Sequence, residues 1–238
     1  MSDWKAKRFW KAASIAPVDG GYTVLLDARP VRTPIKAELT LPSERLAQAI
    51  AAEWDAQDGE IDPLTMPYTR AANAALDKVT PQHAEVADML AAYGDADLLC
   101  YRADTPAELV ARQNAIWNPL LDWAERDLGA RLAPRTGVIH APQDPAQLAA
   151  LRAQVHALDP FSMAAFHDLV TLSGSLVIGF AALRNHLPLP DLWAASRLDE
   201  TWQEEQWGAD DEATAHAQIK RRAFEDAHSF YQLVHAKH

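Results

Sequence analysis

The sequence predicts an α+β protein: a small β-rich domain over residues 1–80, with one or two helices, followed by a larger all-helical domain over 81–238. Three observations carry this reading. A hairpin signal opens the chain. Beyond residue 80 an N-cap residue directly precedes a proline four times. The uncharged run 169–183 has the length of a buried helix and is too short to span a bilayer at 1.5 Å per residue.

The elements follow in order. Residues 9–18 and 22–26 flank Asp19-Gly20-Gly21, the composition of a tight hairpin turn. Asp27-Ala28-Arg29-Pro30 forms a second turn leading to Val31-Arg32-Thr33-Pro34, and residues 38–41 offer another short strand. Pro42-Ser43 opens a helix on which Leu46, Ile50 and Trp54 repeat every four residues, with Gly59 as its stop. Thr80-Pro81, Thr105-Pro106, Asp144-Pro145 and Asp159-Pro160 each place a side-chain acceptor before a proline at the first helical position. Each is expected to begin a helix. Apolar residues at helical spacing follow every pair, with Pro119 a kink or restart in the second helix. Residues 131–142 read as a loop or lone strand. Helices from about Pro190 and about Asp210 complete the set, and nearly all strands are expected before residue 80.

Composition narrows the function classes. Hydrophobic residues make up 49% and charged residues 23% of 238, as in ordinary globular proteins. A net charge of −11 disfavours nucleic acid and anionic membrane surfaces, which need a basic footprint. The basic-aromatic set Trp4, Lys5, Lys7, Arg8, Phe9, Trp10 and Lys11 therefore reads as a first strand. The lone cysteine, Cys100, lies in an apolar run and reads as a buried, inert thiol in a reducing compartment. No apolar signal core or long transit segment is visible at the start, and a soluble monomer is expected.

The search for catalytic chemistry yields little. No glycine-rich phosphate loop or nucleophile elbow appears, and Ser175 with Gly179 reads as a small-residue face for close helix packing. No metal-ligand spacing joins the histidines, including His216, His228, His235 and His238, so neither metal nor cofactor is expected. His167-Asp168 could form an acid/base pair, although neighbours on a helix diverge by about 100°.

One stretch stands apart. Residues 198–208 read as the last turns of a helix, with Gly208 at a left-handed C-cap. On a 3.6-residue period Glu200 shares a face with Trp193, Gln203 and Trp207. Indoles beside a carboxylate and an amide suit a surface that a partner covers. The periodicity leaves open that both indoles pack on the next helix while Glu200 is solvated.

The chain resembles the assembly chaperones of the F-type ATP synthase α subunit, mitochondrial and bacterial. The residues that carry this are Arg8-Phe9-Trp10-Lys11; the run from Leu26-Asp27 to Thr33-Pro34; Glu53-Trp54 with Gln57; Ile61-Asp62-Pro63, Met66-Pro67 and Ala72-Asn73; Asp97 through Arg102; Gln113 with Trp117; and Glu200, Gln203 and Trp207-Gly208. Each piece is short; their common order makes the set specific. The resemblance implies a β-rich N-terminal and a helical C-terminal domain. It implies a chaperone without enzymatic activity that holds unassembled α subunit of F(1)-ATPase until the β subunit arrives. Its important carboxylate falls on Glu200. Where the family is implied to carry a second acidic residue, near the start of the long apolar helix, this chain has His167-Asp168. The implied location is the bacterial cytoplasm, or the mitochondrial matrix for an organellar form. The competing reading is a small-molecule enzyme with Glu200, His167 and Asp168 as acid/base groups in one pocket.

Overall fold

The computed structural model describes residues 7–137 and 139–236. Trp4, Lys5 and His238 lie outside the described residues. The chain forms two compact units. The first comprises residues 1–82, 159–165 and 226–238, and the second 83–158 and 166–225. The two later segments of the first unit come from the half that the sequence reading assigns wholly to the helical domain.

In the first unit, β1 (Ala13–Val18) and β2 (Gly21–Leu26) form an antiparallel hairpin, with Ala13 opposite Leu26 and Val18 opposite Gly21. The two-residue β3 (Arg29–Pro30) adds to the far edge of β2. Residues 38–41 contribute only isolated bridges, Arg32 to Glu38 and Tyr22 to Leu41. The backbones of Tyr22 and Leu41 exchange hydrogen bonds of 2.9 and 2.8 Å. This brings the Leu41 carbonyl against Gly21, where a Cβ would sit 2.2 Å from that oxygen. Glycine is required there for close approach.

β1 is an edge strand, and its outer edge is blunted. Ser14, Ala16 and Val18 turn their peptide groups toward β2, leaving those of Ala13, Ile15 and Pro17 outward. Pro17 has no N–H, and that of Ala13 donates to Asp55 Oδ1 at 3.0 Å. Helix α1 (Glu44–Asp55) is capped by Ser43, whose Oγ accepts from Leu46 N. It ends at Ala56, before Gly59. Leu46 and Ile50 pack with Trp10, Val24, Leu26, Leu39, Leu41 and Phe230 into one core. The Arg8 guanidinium ties the entering chain to the end of α1 through the carbonyls of Asp55 and Gln57 and an ion pair with Asp55 at 3.2 Å. Glu53 of α1 reaches the N-terminus of α2 (Pro67–Ala74), accepting from Tyr68 N, Thr69 N and Thr69 Oγ1 at 2.6–2.7 Å. Burial nevertheless holds the Glu53 carboxyl above its ordinary range.

The cap-proline pairs divide. Asp144 caps α5 (Pro145–His156), and Asp159 accepts from the N–H groups of Phe161 and Ser162 at the start of α6 (Pro160–Ser173). Thr80-Pro81 begins nothing: helical turns continue from α2 into α3 (His83–Ala91), and Thr80 Oγ1 donates back to Ala75 O. At the other, Pro106 is itself the cap of α4 (Ala107–Trp123), without a side-chain bond. α4 runs through Pro119 rather than restarting there.

The uncharged run 169–183 is two helices rather than one. Gly174, at φ +71°, breaks the chain, and Ser175 Oγ caps α7 (Leu176–Leu183) by accepting from Ile178 N. Fully buried Asp97 supports that start: it accepts from Ser175 Oγ at 2.8 Å, Val177 N at 3.1 Å and Leu99 N at 3.0 Å. Burial raises its pKa to about 6. Ser175 is thus a capping residue. Gly179 does permit close packing: a Cβ there would lie 2.7 Å from Val170 Cγ2 and 2.9 Å from Phe166. The loop before α5 contributes β5 (Arg135–Thr136), which pairs in parallel with β4 (Tyr101–Arg102), a strand that precedes α4. Cys100 is 2% exposed, and burial pushes its thiol up to about 12. The remaining helices are α8 (Leu189–Ser196), α9 (Leu198–Trp207) and α10 (Asp211–Val234). Among the described residues, no helix is long and apolar enough to cross a membrane.

Candidate functional site

The acidic, aromatic stretch singled out by the sequence centres on α9. The predicted continuous face does not form as expected, because α8 and α9 are separate helices. The break falls at Arg197, with φ −109° and ψ 15°. Its cause lies elsewhere in the second unit. The Ala195 carbonyl, which would bond to the amide of Asp199 in a continuous helix, accepts instead from Trp117 Nε1 of α4 at 2.8 Å. Trp193 consequently turns into the core, 8% exposed and tilted on Phe224 at 5.5 Å. It is a packing residue, which corrects its assignment to the partner-facing set.

The rest of α9 sorts cleanly by angle. At 100° per residue Asp199, Trp202 and Glu205 lie on one side, and Glu200, Gln203, Glu204 and Trp207 on the other. The first group is bonded to α4. Gln113 Nε2 donates to Asp199 Oδ1 at 2.7 Å while Gln113 Oε1 accepts from Ala103 N. Arg112 pairs with Glu205 at 2.8 Å and lies over the Trp202 ring at 5.0 Å. The hydrogen bond from Arg112 holds the Glu205 carboxyl below its ordinary range.

The second group lies on the opposite side of α9 from these bonds, with Glu204 half-buried. Trp207 is 80% exposed and Gln203 is exposed. The Glu200 side chain is 46% exposed and accepts from Arg197 Nη1 at 2.6 Å. Gly208 ends the helix with φ +91° and ψ 154°, so its φ is positive without the left-handed ψ the sequence suggests. Its N–H donates to Glu204 O at 2.9 Å. Seven carboxylates lie between Arg197 and Lys220, with no Lys or Arg among them. Sequence reasoning missed Arg112 and Arg197 altogether. It found Gln113 and Trp117 only through resemblance, since their partners lie 86 and 78 residues away.

The acid/base alternative gains no pocket. His167 Nδ1 and Asp168 Oδ1 do meet, at 2.9 Å, despite their angular separation, and both side chains are solvent-exposed. Glu200 is paired with Arg197 instead. A cleft of about 170 Å³ in the first unit is lined by Val18, Thr23, Pro30, Val31, Arg32, Glu38, Leu39 and Thr40, none of them candidates. Among the described residues, no group of three or more His, Cys, Asp or Glu could hold a metal ion.

Comparison with known proteins agrees with this architecture. The family described as ATP12 chaperone protein matches residues 7–125, the stretch holding Arg112, Gln113 and Trp117. Protein atp12, mitochondrial, of Schizosaccharomyces pombe is 26% identical over 245 residues, spanning 93% of this chain and 84% of that protein. The crystal structure of Atp12 from Paracoccus denitrificans superposes with a TM-score of 0.93 at 51% identity, covering 98% of this chain and all of that one. The Atu1473 protein of Agrobacterium tumefaciens superposes with a TM-score of 0.91 at 39% identity over 95% of this chain and 85% of that one. The chain belongs to the ATP12 chaperone family.

Proposed function

We propose that this chain is a chaperone of ATP synthase assembly that binds the unassembled α subunit of F(1)-ATPase and releases it to the β subunit. The outward side of α9 supports this reading, and the exposure of Trp207 is the observation that carries it. A large indole held in solvent beside Glu200, Gln203 and Glu204 gives contact area and orienting polar groups on one edge. A nascent subunit exposes the apolar surface that its true neighbour later covers, and a holdase must cover it reversibly. Acidic groups around the indole fit a client segment with basic or donor groups, and they repel other copies of the chaperone. The reading takes the chain to act as a monomer, without ATP hydrolysis, in the bacterial cytoplasm or the mitochondrial matrix.

Co-purification with separately expressed α subunit tests it, together with light scattering of isolated α subunit. The chaperone at near-stoichiometric ratio suppresses aggregation, and added β subunit displaces it. Glu200→Lys keeps the fold, since it gives up a surface ion pair with Arg197 that is worth about 1 kcal/mol or less. It loses the client, because reversal sets like charges face to face at a cost of about several kcal/mol. No effect of the wild-type chain on α-subunit scattering at several-fold excess removes the holdase reading. Early melting of Glu200→Lys with a proportionate loss of binding makes Glu200 structural.

A further inference from the structure

α9 is poorly held by apolar packing. It has ten residues, and only Leu198 among them is buried. A helix this short is marginal unless tertiary contacts hold it, since isolated helices below about 12–15 residues rarely persist in water. Arg197 and Gly208 interrupt the backbone at both ends, so neither α8 nor α10 dictates its rotation through a continuous helix. What fixes that rotation is polar. Gln113 is 1% exposed, and both ends of its amide are engaged, the oxygen accepting from Ala103 N and the nitrogen donating to Asp199. One turn-step away, Arg112 grips Glu205 and covers Trp202. The two grips lie six residues apart along α9, near its two ends.

We propose that Arg112 and Gln113 are positioning residues that lock the rotation of α9, so that Glu200, Gln203, Glu204 and Trp207 are presented to the client as one edge. This rests on the reading of that edge given under Proposed function. The acidic residues of α9 thereby divide by role. Asp199 and Glu205 are held by α4 and serve as handles, whereas Glu204 and Glu200, the latter paired only with its neighbour Arg197, belong to the client edge. Nothing about net charge separates these pairs; only the partner on α4 does.

The test is two charge-exchange cycles. Arg112→Glu places like charges at the Glu205 grip, and adding Glu205→Arg restores an opposite pair. Gln113→Glu keeps the acceptor for Ala103 N but turns a carboxylate on Asp199, and adding Asp199→Asn restores a donor–acceptor pair. Hydrogen exchange of α9 amides and affinity for purified α subunit of F(1)-ATPase are measured for each. Each single variant raises α9 exchange and weakens client affinity by about tenfold, the scale of coupling through packed elements. Each double variant recovers both, while Trp207→Ala loses affinity with α9 exchange unchanged. Wild-type exchange and affinity in Arg112→Glu and Gln113→Glu overturn the proposal. So does lost affinity with unchanged exchange and no recovery in the doubles, which makes these residues direct contacts. If the single variants raise exchange while they and Trp207→Ala all bind normally, the failure lies in the client edge itself, and the proposal falls with it.

Discussion

Replacing Asp97 with Asn removes the part of the second unit's pH dependence that this buried carboxyl sets. Asp97 is fully enclosed and accepts from Leu99 N, Val177 N and Ser175 Oγ. Burial outweighs these donors and lifts its pKa from 3.8 to about 6. A carboxyl whose pKa rises on folding takes up its proton in the folded state first, so its contribution grows as pH falls through about 6 and is complete below 3.8. Between pH 7.5 and pH 5 that contribution amounts to roughly 1 kcal/mol. For a chain of this size this corresponds to a midpoint shift of roughly 2–4 °C. The assay is urea unfolding of wild type and Asp97→Asn at both pH values, followed by the ellipticity of the helices. The difference in unfolding free energy, wild type minus variant, increases by that amount on acidification, because Asn does not titrate. A difference that stays constant refutes the reasoning. It means that the donors at the α7 N-terminus keep Asp97 ionised down to pH 5, and that hydrogen bonding outweighs desolvation.

Four further outcomes follow from particular contacts. Trp207→Ala leaves the melting midpoint within about 1 °C, since the ring is solvated, while α-subunit pull-down weakens by more than about tenfold, as expected of an aromatic anchor. Gly179→Ala destabilises by about 1–3 kcal/mol in chemical denaturation, because the added methyl meets Val170 and Phe166 inside van der Waals distance. Trp117→Phe removes the donor to Ala195 O and costs about 1–3 kcal/mol, with increased hydrogen exchange around Arg197. Cys100 resists a thiol reagent at pH 8 in the folded protein and reacts on addition of denaturant, and rapid labelling of the native chain contradicts its burial.

The parts of the fold legible in the sequence are those set by local chemistry. The hairpin turn at Asp19-Gly20 and the caps at Ser43, Asp144 and Asp159 each depend on residues within a few positions. The misread parts depend on distant ones. Thr80-Pro81 has the composition of a helix start, yet the chain is already helical when it arrives, and the hydroxyl of Thr80 bonds backward. No glycine or proline marks Arg197, because the interruption there comes from an indole on α4 taking the Ala195 carbonyl. Extending one helical period across that point carried Trp193 onto the wrong face. The break before α7 did have a local signal in Gly174-Ser175, but the apolar composition around it argued for one helix. On α9 the helical period groups Glu200, Gln203 and Trp207, but nothing local marks Asp199 and Glu205 as the residues that meet Gln113 and Arg112 on α4.

The blunted edge of β1 has a bearing on the company this protein keeps. A member of a chaperone family works beside chains whose own strands are still unpaired, and those are the strongest templates for misassociation. Along β1 the outward donors that such a strand would need are reduced to the Ile15 N–H, because Asp55 takes that of Ala13 and Pro17 has none. An approaching strand finds outward carbonyls but a single donor, so a backbone ladder on this edge is disfavoured and contact through side chains is favoured instead.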